Sequence, residues 1–378
     1  MRWLSIVTFV VALAACGGDK NERAHVADLP DIDASARLER DWFSKTGTGS
    51  EQRYLQLRPV VVGDKLYAID VAGELTAYRA RDGKRLWRRA LKVPVTTGLG
   101  AGEGQLFFGT RAGELVAVDA DQGQVRWRAM LSTELWAPPV ASEGSVVAAT
   151  IDGKIHLLNA KDGALRWTQE RTEPALSLRG TAAPAVSRDL VIAGFANGKL
   201  VAFERQRDGA VRWETVVAEP RGRDEVERLV DVDTTPLVDR GQINVASYQG
   251  KIMALARDTG AVQWAREVST AQNIAGDAKQ LYAVGADGEV LAFEREQGAS
   301  VWKQNRLSGR RLTAPVLLGD YVAVGDYAGY VHLLRKQDGE LVGRYRVGVY
   351  PVVLLLTHDA QLFSLDEAGT VSALRLRS

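Results

Sequence analysis

A repeat of about forty residues runs through this chain and constrains its fold more than any other feature. Six segments align on a glycine and end on a tryptophan, among them GELTAYRARDGKRLW from Gly73 and GELVAVDADQGQVRW from Gly113. With two weaker copies, the aligned glycines are Gly73, Gly113, Gly153, Gly198, Gly250, Gly288, Gly329 and Gly369. Their intervals of 40, 40, 45, 52, 38, 41 and 40 residues are typical of four-stranded propeller blades.

Each repeat divides into short apolar runs separated by turn signals such as Asp82-Gly83. In the middle run both alternating faces are apolar, with Leu115 and Ala117 on one side and Val116 and Val118 on the other. A strand covered on both faces is what stacked blades require. Five prolines stand fourteen residues before their repeat glycine, which suits an edge strand beside a central channel: Pro59, Pro139, Pro184, Pro236 and Pro315. We therefore predict an all-β, eight-bladed propeller of four-stranded antiparallel blades.

Tryptophans recur in the last strand of the repeat, and we interpret them as packing anchors between neighbouring blades. The predicted anchors are Trp42, Trp87, Trp127, Trp167, Trp213, Trp264 and Trp302. The final repeat lacks a fourth strand, whereas residues 37–42 imitate that strand and include Trp42. We expect this N-terminal strand to complete the last blade and close the ring. Repeat seven has Gly343 in place of tryptophan, with Tyr345 as a candidate substitute.

The first residues indicate export. Arg2 and an apolar run precede Leu13-Ala14-Ala15-Cys16, which resembles the lipobox of bacterial lipoproteins. We predict a signal peptide over residues 1–15, lipidation of Cys16, a flexible tether over residues 16–36 and the propeller over residues 37–378. Cys16 is the only cysteine, so no internal disulfide is available. By the sorting rule of that class, Gly17 implies an outer-membrane lipoprotein facing the periplasm, held at the membrane by its lipid anchor alone.

Charge and motifs argue against catalysis and against nucleic acid as a partner. The chain has 48 Lys and Arg against 47 Asp and Glu, so there is no bulk positive field. His156 and His332 occupy the same strand position in repeats three and seven, on opposite sides of the ring, and cannot share a metal. No phosphate loop, metal motif or nucleophile elbow occurs. We predict no enzymatic activity, no cofactor and no metal.

Two connections between repeats are enlarged. The distance from tryptophan to the next glycine is 26 residues after Trp87 and Trp127, but 31 after Trp167 and 37 after Trp213. The extra residues, about five and eleven, should emerge next to each other on one face, where binding functions tend to reside. The first connection contains Leu176-Ser177-Leu178-Arg179-Gly180, and the second contains Asp231-Val232-Asp233.

The repeat resembles the quinoprotein (PQQ-type) propeller unit. Together with the lipobox and the two enlarged connections, the chain resembles the BamB family, the propeller lipoproteins of the outer-membrane β-barrel assembly (BAM) machinery. This resemblance implies a non-catalytic scaffold that binds a periplasmic POTRA domain of a BamA-like protein and aids insertion of β-barrel proteins. Leu176, Leu178 and Arg179 would contact that partner, and Asp231 and Asp233 would either contact it or orient Arg179. Unfolded outer-membrane precursors are a further class of partner.

Alternatives stay open at this point. One is a small periplasmic dehydrogenase with a quinone cofactor, although such enzymes are longer and commonly carry adjacent cysteines. Another is a carbohydrate- or peptide-binding propeller, for which Trp136 is the obvious aromatic platform unless it covers a blade edge. Asp231 and Asp233 could also merely structure their own loop, with Arg179 solvated.

Overall fold

In the computed structural model, every regular element of the described part of the chain is a β-strand. The structure describes residues 26–47, 57–135, 137–171, 182–220, 230–232, 234–239 and 241–377. Within these ranges no helix is long and apolar enough to cross a membrane.

The strands are short and follow one another with the period of the repeat. In the first half of the chain they are β1 (Leu38–Lys45), β2 (Val60–Val62), β3 (Lys65–Ile69), β4 (Glu74–Arg79), β5 (Arg85–Ala90), β6 (Gly100–Gly102), β7 (Gln105–Gly109), β8 (Glu114–Asp119), β9 (Val125–Met130), β10 (Val140–Ser142), β11 (Ser145–Ala149), β12 (Lys154–Asn159), β13 (Leu165–Glu170), β14 (Ala185–Val186), β15 (Leu190–Gly194), β16 (Lys199–Glu204) and β17 (Val211–Val216). In the second half they are β18 (Leu237–Asp239), β19 (Gln242–Ala246), β20 (Lys251–Ala256), β21 (Val262–Glu267), β22 (Ala275–Gly276), β23 (Gln280–Val284), β24 (Val290–Glu294), β25 (Ser300–Gln304), β26 (Val316–Leu318), β27 (Tyr321–Gly325), β28 (Tyr330–Arg335), β29 (Leu341–Arg346), β30 (Val352–His358), β31 (Gln361–Asp366) and β32 (Thr370–Leu376).

These strands form eight four-stranded antiparallel sheets, the blades of a ring. Blades one to seven each use four consecutive strands, from β2–β5 to β26–β29. Blade eight has the order β1-β32-β31-β30, so the N-terminal strand supplies its outer edge. The register runs from Leu38 opposite Leu376 to Lys45 opposite Thr370. The predicted eight-bladed propeller and its closure by the N-terminal strand are both confirmed.

The first strands of neighbouring blades approach each other closely. A Cβ placed on Gly100 of blade two would lie 1.9 Å from the carbonyl oxygen of Pro139 in blade three, so this contact needs glycine. The five repeat prolines each stand directly before the first strand of a blade. Proline has no N–H, and at that position its absence removes no hydrogen bond from the middle of the β-sheet.

The hydrophobic core lies between the blades. In β8, Leu115 and Ala117 belong to the cluster shared with blade three, whereas Val116 and Val118 belong to the cluster shared with blade one. The two apolar faces of the strand are therefore covered as the sequence predicts, since each blade buries both faces against its neighbours. Because a single blade cannot bury both faces alone, folding depends on the ring.

The tryptophans of the repeat lie at the same inter-blade junctions. The Trp213 indole N–H donates to the carbonyl of Arg257 in the next blade at 2.8 Å, and Trp42 of blade eight donates to Ala80 of blade one at 2.7 Å. Each indole also covers a glycine turn of the next blade. A Cβ on Gly260, whose φ is +68°, would lie 2.5 Å from the Trp213 ring.

Blade seven departs from this arrangement because the incoming chain occupies the position. Gly343 is opposite Leu333, the register position that tryptophan occupies in other blades. A Cβ on Gly343 would lie 2.4 Å from the carbonyl oxygen of Ala36. Tyr345 packs half-buried against the neighbouring core cluster instead. Space for a large side chain is thus taken by the backbone that leads into β1.

Candidate functional site

The two ends of the ring differ in the chain segments that they carry. One end, here called the turn face, has the turns between first and second and between third and fourth strands. The other, the connection face, has the turns between second and third strands and the blade-to-blade connections. The two kinds of segment on the connection face are hydrogen-bonded to each other: the Leu91 N–H donates to Gly73 and the Arg171 N–H donates to Gly153, at 2.9 and 3.0 Å.

The described ends of the two enlarged connections lie on this face. The connections 91–99 and 131–139 have nine residues each, whereas 171–184 has fourteen and 217–236 has twenty. The two long connections meet: the Ala183 N–H of the first donates to the Thr235 hydroxyl of the second at 3.2 Å. The Thr235 N–H in turn donates to Asn273 at 2.7 Å, in the connection from blade five to blade six. The described ends of these connections are therefore hydrogen-bonded to one another, from the entry to blade four through the entry to blade five to the connection before blade six.

Most of the predicted contact residues fall outside the described part of the chain. Leu176, Leu178 and Arg179 lie in 172–181, which is not described, and Asp233, Cys16 and Trp136 are likewise outside the described residues. Asp231 is the predicted site residue whose position is known. Its exposed fraction is 1%, so its carboxylate is not on the outer surface of the connection.

Asp231 lies on a segment that is anchored between blades four and five. Val230 and Val232 flank it and are both buried, and Val232 belongs to the core cluster of these blades. The Tyr248 N–H donates to the backbone carbonyl of Asp231 at 3.1 Å. The backbone at Asp231 is thus fixed, and a side chain buried to this extent has little surface that a partner protein could contact directly.

Thr234, which the sequence analysis did not single out, fixes the end of its connection by hydrogen bonds. It is fully buried, and its hydroxyl donates to the Ala246 carbonyl at 2.7 Å and accepts from the Ala246 N–H at 2.9 Å. Thr313 makes a related contact, accepting from the Gly325 N–H at 3.0 Å. The signal was a threonine two residues before a repeat proline, in Thr234-Thr235-Pro236 and Thr313-Ala314-Pro315. These hydroxyls tie the end of a connection to the second strand of its own blade.

The two strand histidines are held in separate polar clusters. The Nδ1 atom of His156 lies 2.9 Å from the Thr168 hydroxyl, and its Nε2 atom lies 3.4 Å from Ser132. The carboxylate of Asp152 accepts from Ser132 at 3.1 Å instead of from the imidazole. This differs from a hydrolytic triad, in which the carboxylate orients the histidine. Burial lowers the pKa of His156.

His332 belongs to a buried ionic cluster in blade seven. Its Nε2 atom lies 2.9 Å from Asp326, which also pairs with the Arg310 guanidinium at 2.7 Å. Burial lowers the pKa of His332 although Asp326 opposes this shift. Burial disfavours the charged Asp326 carboxylate, but hydrogen bonds from His332, the Tyr330 amide and Arg310 hold the pKa of Asp326 below its usual value. In the described ranges, no three His, Cys, Asp or Glu side chains are grouped to hold a metal.

Comparison with known proteins places the whole chain among assembly factors. The sequence model of the family described as outer membrane protein assembly factor BamB matches residues 71–304. The BamB of Alkalilimnicola ehrlichii is 46% identical over 376 residues, covering 99% of this chain and 97% of that protein. The BamB of Pseudomonas aeruginosa is also 46% identical, covering 92% of both chains.

Solved structures agree with the fold. The crystal structure of BamB from Moraxella catarrhalis superposes with a TM-score of 0.82 at 28% identity, covering 89% of this chain and 99% of that one. The quinohemoprotein alcohol dehydrogenase of Comamonas testosteroni superposes with a TM-score of 0.71 at 14% identity, covering 89% of this chain and 76% of the enzyme, and shows a likeness of fold alone. From its identity to these relatives along nearly its whole length, the chain belongs to the BamB family of outer membrane protein assembly factors.

Proposed function

We propose that this chain is a non-catalytic scaffold of the outer-membrane β-barrel assembly machinery. Its relatives are named as outer membrane protein assembly factors, and the same role at the outer membrane is proposed here. The observation that carries the proposal is the pair of long connections joined by the bond from Ala183 to Thr235. Long loops fixed on a rigid ring suit the binding of another protein better than bond chemistry.

The proposed partner is a periplasmic POTRA domain of a BamA-like protein. Leu176, Leu178 and Arg179 would supply apolar anchors and a cation, the residue types that dominate protein interfaces. Asp231 would orient the guanidinium of Arg179, since burial of its own side chain keeps it from direct contact with the partner. Asp233 would contact the partner or assist in orienting Arg179. Unfolded precursors of barrel proteins are proposed as a second, transient class of partner.

Co-purification tests this site. Arg179→Glu should abolish recovery of the BamA-like protein from detergent-solubilised membranes, because a cation in the interface becomes an anion. Arg188→Glu is the matched control, since Arg188 is exposed on the turn face of blade four, which follows the connection that contains Arg179. Binding retained by Arg179→Glu, or lost equally in both variants, would place the partner elsewhere.

The membrane attachment is proposed to reside in Cys16. Three acyl chains at its sulfur and new amino group would hold the ring at the periplasmic side of the outer membrane. Cys16→Ser should move the protein from the membrane fraction to the soluble periplasmic fraction and remove incorporation of labelled palmitate. Membrane association that survives this substitution without palmitate incorporation would show another means of attachment.

The quinone dehydrogenase remains the enzyme alternative, and its support is limited to the common fold. Calorimetric titration of the chain with pyrroloquinoline quinone and calcium should give no heat of binding and no change in cofactor absorbance. A saturable signal would reopen the enzymatic alternative.

A further inference from the structure

Residues 26–36, here called the strap, lie along the outer wall of blades six and seven. The Ala27 N–H donates to the carbonyl of Ser308 at 3.0 Å, and the Ala36 N–H donates to Val342 at 2.9 Å. Between them, Ile32 packs against the core cluster that blades six and seven share. The strap is therefore attached at both ends and in the middle.

A buried cation fixes the upstream end of the strap. Arg310, with an exposed fraction of 4%, donates from Nη1 to the Ala27 carbonyl at 3.0 Å. The same guanidinium donates from Nε to Asp326 at 2.8 Å, and that carboxylate is fully buried and also contacts His332. A guanidinium paired in this way cannot move without leaving a buried charge unpaired. The position of Ala27 is therefore set by the core of blade seven.

The two ends of the strap lie at opposite faces of the ring. Ala27 contacts the connection 305–315 on the connection face, whereas Ala36 contacts the beginning of β29, next to the turn face. The chain upstream of Val26 thus continues from the connection face, at blades six and seven. Cys16 stands ten residues before Val26, a stretch that spans at most roughly 35 Å.

Exposed apolar side chains concentrate at this exit. Val349 and Tyr350, in the connection from blade seven to blade eight, have exposed fractions of 72% and 52%, and Tyr327 has 39%. The Tyr350 carbonyl packs on Gly329, in the same turn as Tyr327, and Arg310 lies over the Tyr327 ring at 5.2 Å. Most other exposed large apolar side chains are spread around the outer wall on fourth strands, such as Leu165.

We propose that this rim, formed by Tyr327, Val349 and Tyr350, rests on the lipid surface to which the chain is anchored; the inference depends on the proposed lipidation of Cys16. Tyrosines and exposed aliphatic side chains are suited to a membrane interface. Arg311 and Arg346 are exposed beside them and can meet anionic headgroups, while Asp28 on the strap offsets part of that charge. The short link from Cys16 keeps the rim close to the bilayer.

The proposal determines how the molecule is oriented. The rim lies at blades seven and eight, and the long connections lie at blades three to five, across the ring on the same face. The connection face then looks toward the membrane and tilts so that the rim touches it. The strap ties the anchor to this side of the ring, whereas a free tether would allow any orientation.

Depth measurement with a fluorescent label tests the contact. The full lipidated chain, in which acylated Cys16 cannot react, is reconstituted into vesicles of phosphatidylethanolamine and phosphatidylglycerol with brominated acyl chains. A nitrobenzoxadiazole label is placed on Tyr350→Cys, with Lys161→Cys on the turn face and Ile151→Cys on the connection face of blade three as matched exposed controls. We expect quenching at position 350 to exceed that at position 161 by at least threefold, with position 151 between them.

The outcomes distinguish a failure of the proposed contact between rim and lipid from a failure of the proposed acylation of Cys16. Acylation is measured first by mass spectrometry of the N-terminal peptide, and a chain without acyl groups would overturn the anchor and this inference with it. An acylated chain whose three labels are quenched equally would overturn the lipid contact and leave the anchor intact. The lipid contact would also be overturned if the label at position 350 became shielded from water only when the BamA-like protein was added, because the rim would then be a protein interface.

Discussion

At the scale of single residues, the repeat tryptophans differ in whether the indole N–H makes a hydrogen bond to the next blade. Trp213 combines ring packing with a hydrogen bond of 2.8 Å to the next blade. Trp87 has the same place in blade one, yet its buried N–H has no hydrogen-bond partner among the described residues. The two positions therefore separate the contribution of packing from that of the hydrogen bond.

Substitution to phenylalanine should distinguish the two tryptophans. Trp213→Phe leaves the Arg257 carbonyl without its donor, whereas Trp87→Phe removes a buried polar group that has no described partner. We expect Trp213→Phe to cost about 1 kcal/mol more of unfolding free energy than Trp87→Phe, measured by urea denaturation. Trp213→Ala, which also loses the ring, should cost about 3–5 kcal/mol. Equal losses in the two phenylalanine variants would mean that the hydrogen bond contributes nothing measurable.

The buried histidines predict a dependence of stability on pH. Burial lowers the pKa of both His156 and His332 in the folded chain, so the unfolded chain takes up protons first as pH falls below about 6.5. Stability contributed by the neutral imidazoles is complete above that pH and is lost as pH falls toward the lowered values. The melting temperature should fall between pH 7.5 and 5.5, and His156→Gln should reduce this fall. A pH profile unchanged by His156→Gln would exclude His156 as a source.

At the scale of elements, the path of the strap explains the irregularity of blade seven. The Ala36 carbonyl occupies the volume that a side chain at position 343 would need. Gly343→Ala should therefore displace the strap or strain β29. Hydrogen exchange should show faster exchange at the Ala36 amide, while Gly319→Ala, at a glycine with open space around it apart from Leu376 at 3.6 Å, serves as a control that leaves this amide protected. Since φ at Gly319 is +56°, the control itself should lose some stability without affecting Ala36.

The elements also show what the sequence could predict. The eight blades follow from the sequence because the glycine period and the two-sided apolar strands, as around Leu115 and Val116, recur in each repeat. Closure of the ring follows because the segment at Trp42 matches the fourth strand of that repeat. The strap has no period, and the apolar residues in its described part that contact the core, Ile32 and Ala36, stand among polar ones, so the sequence predicts a flexible tether over residues 16–36. The structure describes 26–36 of that range, with the contacts given above. The sequence left open whether Asp231 contacts a partner, orients Arg179 or structures its own loop, because burial of one carboxylate depends on Val230 and Val232 entering the junction of two blades.

At the scale of the whole molecule, the ring has one place where the chain does not continue from strand to strand. In seven blades hairpins join all four strands, whereas β1 and β32 meet as the first and last strands of the described chain. The pair is held by its backbone ladder and by surface contacts such as Arg375 to Asp41 at 3.0 Å. Separation of β1 would expose the edge of blade eight and the junction at Trp42. Opening at this pair is therefore expected to precede unfolding of the ring.

A covalent bond across this pair should stabilise the ring more than the same bond elsewhere. Glu39 and Arg375 are register partners, and a disulfide in Glu39→Cys/Arg375→Cys, on a Cys16→Ser background, would close almost the entire chain. Glu74 and Ala90 are register partners within one hairpin, and Glu74→Cys/Ala90→Cys closes a short loop. By loop-closure entropy the first bond is worth roughly 6 kcal/mol and the second roughly 3 kcal/mol. Urea denaturation with and without reductant measures both gains. A gain at the closing pair no larger than in the hairpin would mean that β1 stays in place until the blades themselves unfold.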